Sequence, residues 1–299
     1  MPKIAFEVST RINDVTPITA ISLVTLALLS QENHGLTVAE TATRLERFVS
    51  FVDARSLPTT DDLPFKSLDE IEAALDALVL SGVVQRADGL TERIYSIADG
   101  KHLAAAYYRN TIIHFFVNPG ITELALGVCI HRDDPLIGAS IVDRAVEIRD
   151  LLKFEFFFQP SDDFAAEIES EVQRFASPNE SGDDTIGFSS NQFYPMSPIV
   201  LSPFFEAYYV IAATLVAEGD AEISSSELEE RALQMCNQLA AHGDISQKEA
   251  VSTALFATGI KLAMSRGLLT SSTQERHAFH QELEEILATF SEIDSWFSE

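Results

Sequence analysis

A run of aromatic, cationic and amide side chains stands between Tyr107 and His114, in the order Tyr-Tyr-Arg-Asn-Thr-Ile-Ile-His. At helical spacing, Tyr107, Asn110 and His114 fall on one side, with Tyr108 and Arg109 beside it. The donors and acceptors of such a stripe can bind an anion or join two domains. A buried polar network that fixes helix packing is the alternative, and we favour it over direct ligand contact. These five residues are the candidate substrate-binding or domain-docking site.

Two further groups of side chains have residue types that can hold a metal ion. They are Cys129 with His131, Asp133 and Asp134, and His277 with His280 and Glu284. The first group converges only if the backbone of its segment folds back, and the second lies on one helix face without a further ligand shell nearby. A surface loop and a solvated helix face are the favoured interpretations. The sequence therefore predicts no metal and no cofactor.

Motifs of the common enzyme classes are absent from the sequence. It contains no Gly-rich phosphate loop, no G-x-S-x-G, no H-E-x-x-H and no paired C-x-x-C. Four common catalytic classes lose support on this ground. We predict no catalytic residue in this chain.

Acidic residues outnumber basic residues by 46 to 20, which gives the 299-residue chain a formal charge of -26. A charge of this size repels nucleic acids and anionic lipid head groups. The hydrophobic fraction of 46% is within globular values, so the chain is expected to fold. We predict no nucleic-acid partner, and a membrane surface contacted only peripherally, through a full enzyme.

The cellular location is predicted from the cysteines and from the apolar stretches. Two cysteines give no disulfide framework, and the first residues lack the layout of a secretory signal. The stretch from Thr111 to Ile130 is long enough to cross a membrane, but it contains polar residues and Pro119, so we predict two buried helices broken at Pro119. We expect a cytoplasmic protein, with peripheral attachment at the inner face of the cell membrane as the alternative.

Helix and turn signals alternate along the first hundred residues. The predicted elements are a helix over Ile18 to Leu29 behind Thr16-Pro17, an amphipathic helix from Thr37, a helix over Leu68 to Leu80, and a hairpin around Ala87-Asp88-Gly89. Ser67 and Glu70 have the spacing of a capping box, and Gly82 ends the third helix. This order is the outline of a winged-helix module.

The last hundred residues repeat that order. The predicted elements are an apolar helix over Phe205 to Val216, an amphipathic helix over Glu227 to Leu239, a helix over Lys248 to Arg266 before Gly267, and a closing helix over His277 to Trp296. The repetition suggests an internal duplication, although the identity between the two copies is too low to prove one.

The predicted fold class is mainly α, with winged-helix-like modules that carry short β-hairpins. We divide the chain into three segments. Residues 1–99 form a winged-helix-like helical module, residues 100–190 form a central helical segment with a mobile loop at 177–184, and residues 191–299 form a second helical module with the C-terminal helix.

The sequence from Tyr107 to His114 resembles a segment that follows the catalytic domain in bacterial and mitochondrial glycerol-3-phosphate acyltransferases. Further segments resemble that family in the same order. They are Arg11-Ile12-Asn13, Thr16 to Thr19, Leu26 to Leu29, Leu151 to Phe157, Ala254-Leu255-Phe256 and Arg266-Gly267. The resemblance covers the chain from Ile4 to about Thr270, and the actinobacterial branch is the most similar.

This resemblance implies a role in the transfer of a fatty acyl group from acyl-CoA or acyl carrier protein to glycerol 3-phosphate. In the family, an upstream H-x-x-x-x-D pair supplies the general base, whereas none of the seven histidines here has Asp five positions later. The Phe-Pro-Glu-Gly phosphate motif is absent as well. The resemblance therefore implies a structural or docking part that is inactive alone, with an N-terminal acyltransferase domain, in the same or a separate chain, as its partner.

Two other function classes remain open at this point. One is a helical protein-interaction scaffold unrelated to catalysis. The other is a winged-helix DNA-binding protein, which charge disfavours because the helix from Leu68 to Leu80 carries four acidic residues and no Lys or Arg. Whether the chain is itself an enzyme stays undecided, since the family is enzymatic and the catalytic motif is missing.

Overall fold

The structure is a computed structural model that describes most of the chain. The described residues are 2–30, 34–60, 63–89, 91–132, 138–177, 187–188, 196–242, 245, 250 and 252–295. Within them twelve α-helices and five short strands occur, so the prediction of a mainly α fold is confirmed. Two compact units divide the chain, Met1–Phe116 (unit 1) and Val117–Glu299 (unit 2). The division into three segments stays a prediction, and residues 178–184 of the predicted mobile loop lie outside the described part.

Unit 1 contains a bundle of helices and one small sheet. Its elements are α1 (Pro2–Val15), α2 (Ala20–Leu29), β1 (Leu36–Thr37), α3 (Val38–Ala54), α4 (Leu68–Leu80), β2 (Val84–Asp88), β3 (Arg93–Ile97) and α5 (His102–Asn110). The sheet has the order β1-β3-β2 with antiparallel neighbours. The three helices and the hairpin predicted from the sequence are present, whereas α1 and β1 had no counterpart in the prediction.

Side chains at the helix starts explain the boundaries. Thr37 Oγ1 accepts the Glu40 N–H at 3.2 Å, and the Glu40 carboxylate accepts the Thr37 N–H at 2.8 Å, which is a complete capping box. At α4 the Ser67 hydroxyl accepts the Glu70 N–H at 3.3 Å, but the Glu70 carboxylate accepts the N–H of Lys66 at 2.9 Å. The box predicted at Ser67 is thus half formed, because the glutamate reaches one residue further back.

The core of unit 1 surrounds α2. This helix carries eight consecutive buried residues, from Ser22 to Leu29, and it packs against α3, α4 and α5. From α3, Leu45 and Phe48 are fully buried, and Phe48 meets the ring of Phe116 edge to face at 6.1 Å. An all-round apolar helix of ten residues is typical of a core position.

The described part of unit 2 contains helices and one two-stranded pairing. Its elements are the larger part of α6 (His114–His131), α7 (Gly138–Leu152), α8 (Ser161–Phe175), β4 (Ala176–Ser177), β5 (Gly187–Phe188), α9 (Met196–Ala217), α10 (Ser225–His242), α11 (Thr253–Ser265) and α12 (Thr273–Ser295). The central helix is α9, against which α10, α11 and α12 pack. Helix α9 is long and apolar enough to cross a membrane, and so are α5 and α6 when they are taken together. However, 83% of the apolar window of α9 is buried inside the structure.

Two prolines that were expected to lie outside helices lie inside them. Pro119 is within α6 and Pro203 is within α9, so the predicted break at Pro119 and the predicted helix start at Phe205 are both wrong. An internal proline removes one backbone hydrogen bond and costs about 3 kcal/mol. Both prolines are buried among apolar residues, and the burial of the surrounding helix offsets that cost.

Candidate functional site

The five candidate residues lie at the end of α5 and the start of α6. They differ sharply in exposure, because Arg109 is 2% exposed and Tyr107 is 71% exposed. Asn110 is exposed, whereas Tyr108 and His114 are half-buried. Arg109 donates from Nε and Nη2 to Oδ1 of Asn110 at 3.1 and 2.9 Å. Arg109 therefore belongs to the interior of unit 1, and Tyr107 and Asn110 belong to its surface.

A turn at residues 111–113 interrupts the predicted stripe. The hydroxyl of Thr111 donates to the Tyr108 carbonyl at 2.7 Å, and the N–H of Ile112 donates to the Arg109 carbonyl at 3.0 Å. Bonds across three residues tighten the last turn of α5 and end it. The expectation that the five residues line one helix is thus wrong, because three β-branched residues in succession disfavour continuation of the helix.

A hydrogen bond of His114 connects the end of α1 to this turn. Its Nε2 lies 2.8 Å from the Asn13 carbonyl oxygen, so this nitrogen carries the proton and donates it. The same carbonyl accepts the N–H of Thr16 at 3.1 Å. Burial lowers the pKa of His114, against the opposing effects of the Asn13 hydrogen bond and the Asp14 charge. A neutral imidazole at this position is a positioning group between two segments of unit 1.

The residues considered as metal ligands belong to unit 2. His131 bonds a glutamate of α12 at 2.8 Å, and residues 133–134 lie outside the described part. On α12, His277 bonds the Thr273 carbonyl at 2.8 Å, whereas His280 and Glu284 are 4.0 Å apart. The described residues bring together no group of three or more His, Cys, Asp or Glu side chains that could hold a metal ion.

Arg276, near the start of α12, is a fully buried residue that the sequence analysis missed. Its guanidinium donates to the backbone carbonyls of Leu215 (3.3 Å), Gly219 (2.6 Å), Ala221 (2.9 Å), Leu268 (3.0 Å) and Leu269 (3.0 Å). These carbonyls end α9 and follow α11, so one side chain joins three segments. The flanking sequence Gln-Glu-Arg-His has the composition of a solvated helix start, and it gives no local signal of this burial.

A tyrosine and a carboxylate also meet inside unit 2. The Tyr208 hydroxyl donates to the Glu155 carboxylate at 3.1 Å, with Thr258 and Lys261 beside it. Burial raises the pKa of Glu155, although its hydrogen bonds and Lys261 act the other way. Burial and the Glu155 charge raise the pKa of Tyr208. The pair joins the segment after α7 to the central helix α9.

The hairpin of unit 1 presents its arginines to the acidic face of α4. Arg86 lies 3.2 Å from Asp76, and Arg93 pairs with Glu72. The Tyr95 hydroxyl lies 3.2 Å from the Asp76 carboxylate and 3.3 Å from the Glu72 carboxylate, which share its one proton. Burial together with these charges raises the pKa of Tyr95 to about 12. The cationic groups of the hairpin are therefore compensated within the unit.

An open cavity of about 690 Å³ lies between α3 and α4 in unit 1. Its wall includes Leu45, Val49, Phe65 and Ile71, with Lys66 among its polar residues. An apolar wall of this kind suits a side chain of another protein or a hydrocarbon group better than a charged ligand. None of the five candidate residues lines this cavity.

The family model and the curated relatives that match this chain indicate the same family. A sequence model of the C-terminal region of glycerol-3-phosphate acyltransferases matches residues 1–272. The Mycobacterium tuberculosis and Mycobacterium bovis proteins named "Putative acyltransferase plsB1" are 30% identical over 293 residues, which is 94% of this chain and 47% of theirs. The glycerol-3-phosphate acyltransferase of Aeromonas hydrophila is 25% identical over 268 residues, which is 87% of this chain and 32% of that protein. The chain thus spans about half the length, or less, of these relatives.

Proposed function

This chain belongs to the glycerol-3-phosphate acyltransferase family through the C-terminal region, and we propose that it is a structural and docking part of such an enzyme. The enzyme would transfer an acyl group from acyl-CoA or acyl carrier protein to glycerol 3-phosphate, the first step of phospholipid synthesis. The chemistry belongs to an acyltransferase domain in the same or a separate chain. We further propose a cytoplasmic location or peripheral contact with the inner face of the cell membrane. The match over residues 1–272 carries the proposed role as part of such an enzyme.

The topology supports a finer description of the two units. We propose that unit 1 is a winged-helix module, and the helix order α2-α3-α4, the hairpin that follows it and the sheet order β1-β3-β2 support this proposal. In unit 2 the three successive helices α9, α10 and α11 are followed by Gly267, which has a positive φ as Gly82 after α4 does. We propose that the two units contain copies of one ancestral module. The pairing of Arg86 and Arg93 with α4 supports a protein-binding role for it over a nucleic-acid-binding one.

Within this function, the α5 residues take two different roles. Tyr107 and Asn110 are exposed and available for contact with the acyltransferase domain, and Leu103, one helical turn before Tyr107, is 57% exposed. Arg109 is buried, so it acts by holding α5 in place. Loss of a hydrogen bond to a charged group costs about 1.5 to 3 kcal/mol, so Arg109→Ala is expected to lower stability and catalytic rate together in a complete enzyme. The KM for glycerol 3-phosphate should hardly change.

The proposal is tested first with the purified chain alone. With acyl-CoA, and separately with acylated acyl carrier protein, it is expected to acylate glycerol 3-phosphate no faster than a blank. A hybrid protein, in which this chain replaces the matching region of the Mycobacterium tuberculosis relative, is expected to show enzyme-dependent turnover. Robust turnover by the chain alone, abolished by a substitution within it, would refute the proposed division of labour.

A further inference from the structure

From Glu7 to Val15, helix α1 has its polar side towards the protein and its apolar side towards solvent. Val8, Ile12 and Val15 follow one another at intervals of four and three residues, so they lie on one face of the helix. Their exposed fractions are 50%, 57% and 72%. An amphipathic helix of a complete globular protein usually buries such a face.

The opposite face of α1 confirms the inversion. The half-buried residues of its described part are Ser9, Thr10 and Asn13, all polar, and between Glu7 and Val15 no residue is fully buried. In this part of α1, the side chains that face the rest of unit 1 therefore carry hydroxyl and amide groups. A helix usually stays packed because it buries apolar area. The apolar face of α1 is exposed, so it is available for contact with another surface.

This orientation of α1 is held by specific bonds. The Asn13 carbonyl accepts hydrogen bonds from His114 Nε2 at 2.8 Å and from the Thr16 N–H at 3.1 Å. The backbone of Ile18 and Thr60 then continues the attachment, with Ile18 N–H bonding the Pro58 carbonyl at 2.8 Å and Thr60 N–H bonding the Ile18 carbonyl at 3.0 Å. The C-terminal end of α1 is thus fixed on unit 1, and the apolar face is presented outwards by construction.

We propose that the apolar face of α1, formed by Val8, Ile12 and Val15, is a docking surface for the acyltransferase domain of the enzyme. This inference rests on the proposed function and names the surface that the function requires. The family match covers residues 1–272, which include α1, and it describes a C-terminal region. In the longer relatives the remainder of the protein precedes such a region. That remainder is about half of the Mycobacterium tuberculosis relative.

The charges around this face indicate the rim of the partner surface. Arg11 is paired with Glu7 at 2.6 Å, one turn apart on α1, which leaves Asp14 as the charged residue next to Val15. The whole chain carries a formal charge of -26. A partner surface with an apolar centre and a basic rim would complement both features.

Amide hydrogen exchange of α1 tests this proposal in the hybrid protein described above. In the free chain the amides of α1 are expected to exchange early, because one face lies in solvent. In the hybrid they are expected to slow at least tenfold. The double variant Ile12→Ser and Val15→Ser should restore the fast exchange in the hybrid and leave the melting temperature of the free chain unchanged.

The matched control is Leu80→Ser, which alters an apolar residue of α4 that is 90% exposed and lies outside the proposed surface. This variant should keep the tenfold protection. If the first hybrid lacks a cooperative melt, the Mycobacterium tuberculosis relative with only its α1 segment replaced by residues 2–15 of this chain serves for the same measurement. In that protein too, unprotected α1 amides would overturn the proposal.

The other occupants of the face are outcomes of the same experiment. Protection of α1 in the free chain that rises with protein concentration would assign the face to a second copy and overturn the proposal. Protection of the free chain by vesicles of phosphatidylcholine would assign it to a membrane, with the same consequence. Acylation by the hybrid without protection of α1 refutes the docking surface alone, whereas protection without acylation refutes the proposed enzymatic function and leaves the surface standing.

Discussion

Unit 1 after α4 and unit 2 after α11 use the same turn, but the two units satisfy the backbone groups around it by different means. Helix α4 ends before Gly82, with φ of 73°, and α11 ends before Gly267, with φ of 72°. The residue after each glycine donates its N–H to the carbonyl five residues earlier, at 3.2 Å in unit 1 and 2.9 Å in unit 2. This pattern is the Schellman motif, which satisfies the carbonyls at a helix end.

The two units differ in the structure of the chain that follows this turn. In unit 1 it becomes the β2–β3 hairpin, and β1 completes a ladder of backbone hydrogen bonds. In unit 2 the Ile223 N–H donates to the Leu269 carbonyl at 3.2 Å, and the buried guanidinium of Arg276 binds the carbonyls around it. A local turn therefore does not determine how the backbone groups around it find hydrogen-bond partners, because strand pairing and a buried cation can both supply them.

The largest expected effect comes from removing the buried guanidinium that binds the backbone carbonyls in unit 2. Arg276→Ala leaves five backbone carbonyls without their buried donor, so we expect a loss of about 3 to 5 kcal/mol in the free energy of unfolding. Arg276→Lys should recover little, because an ammonium group cannot reach all five positions. Urea denaturation measures both variants.

The control for this prediction is Arg231→Ala. Arg231 forms a partly exposed ion pair with Glu218 in the same unit, and such a pair contributes less than about 1 kcal/mol. If Arg276→Ala cost no more than the control, the idea that a guanidinium replaces the sheet in unit 2 would be wrong.

The next effect tests what the two turns share. Gly82→Ala and Gly267→Ala place a Cβ in a left-handed backbone conformation, which costs about 1 to 2 kcal/mol. Nothing lies within 4 Å of either added Cβ, so strain is the reason for the loss and its size should be equal in the two units. The control Gly138→Ala also meets nothing within 4 Å but has no positive φ, and it should be neutral or slightly stabilising. Unequal losses at Gly82 and Gly267, measured by calorimetry, would contradict the shared turn.

The predictable parts of this fold are those that have local causes. The bounds of α4 at Leu68 and Leu80 match the prediction, because a capping serine and a terminal glycine mark them in the sequence. The hairpin was found from its turn residues for the same reason. Burial of Pro119 and Pro203 depends on distant residues that pack around them, and no local rule could supply it.

The candidate site shows the same limit. Residue types predicted a polar network around Arg109, and Arg109 is buried and bonded to Asn110. The spacing of the residues suggested one helix side, which the turn at 111–113 removes. The inverted face of α1 and the burial of Arg276 lay beyond prediction, because a sequence pattern shows which face is apolar and does not show which face meets the protein.

A smaller effect is expected where a tyrosine hydroxyl meets carboxylates in unit 1. Tyr95→Phe removes the donor that Glu72 and Asp76 share beneath the hairpin, at a cost of about 1 kcal/mol. Tyr107→Phe, at an exposed position of the same unit, is the matched control and should change stability by less than about 0.5 kcal/mol. Thermal melts that show equal shifts for the two variants would indicate that the hydroxyl of Tyr95 has no structural role.

The smallest effect concerns the corresponding tyrosine–carboxylate pair of unit 2 and depends on pH. Burial raises the pKa of Glu155 above its ordinary value of 4.5, so the contribution of this group to stability is complete below pH 4.5 and is lost as pH rises through the folded-state pKa. Glu155→Gln keeps an acceptor for the Tyr208 hydroxyl and removes the titration. The variant should therefore gain stability over the natural protein as pH rises from 4 to 7.5, by less than about 1 kcal/mol. Glu230→Gln, at an exposed position of α10, is the control for the loss of one carboxylate charge. Denaturation curves across this range decide the matter, since a gain that is largest at pH 4 would show that the Glu155 carboxylate is stabilised in its charged form.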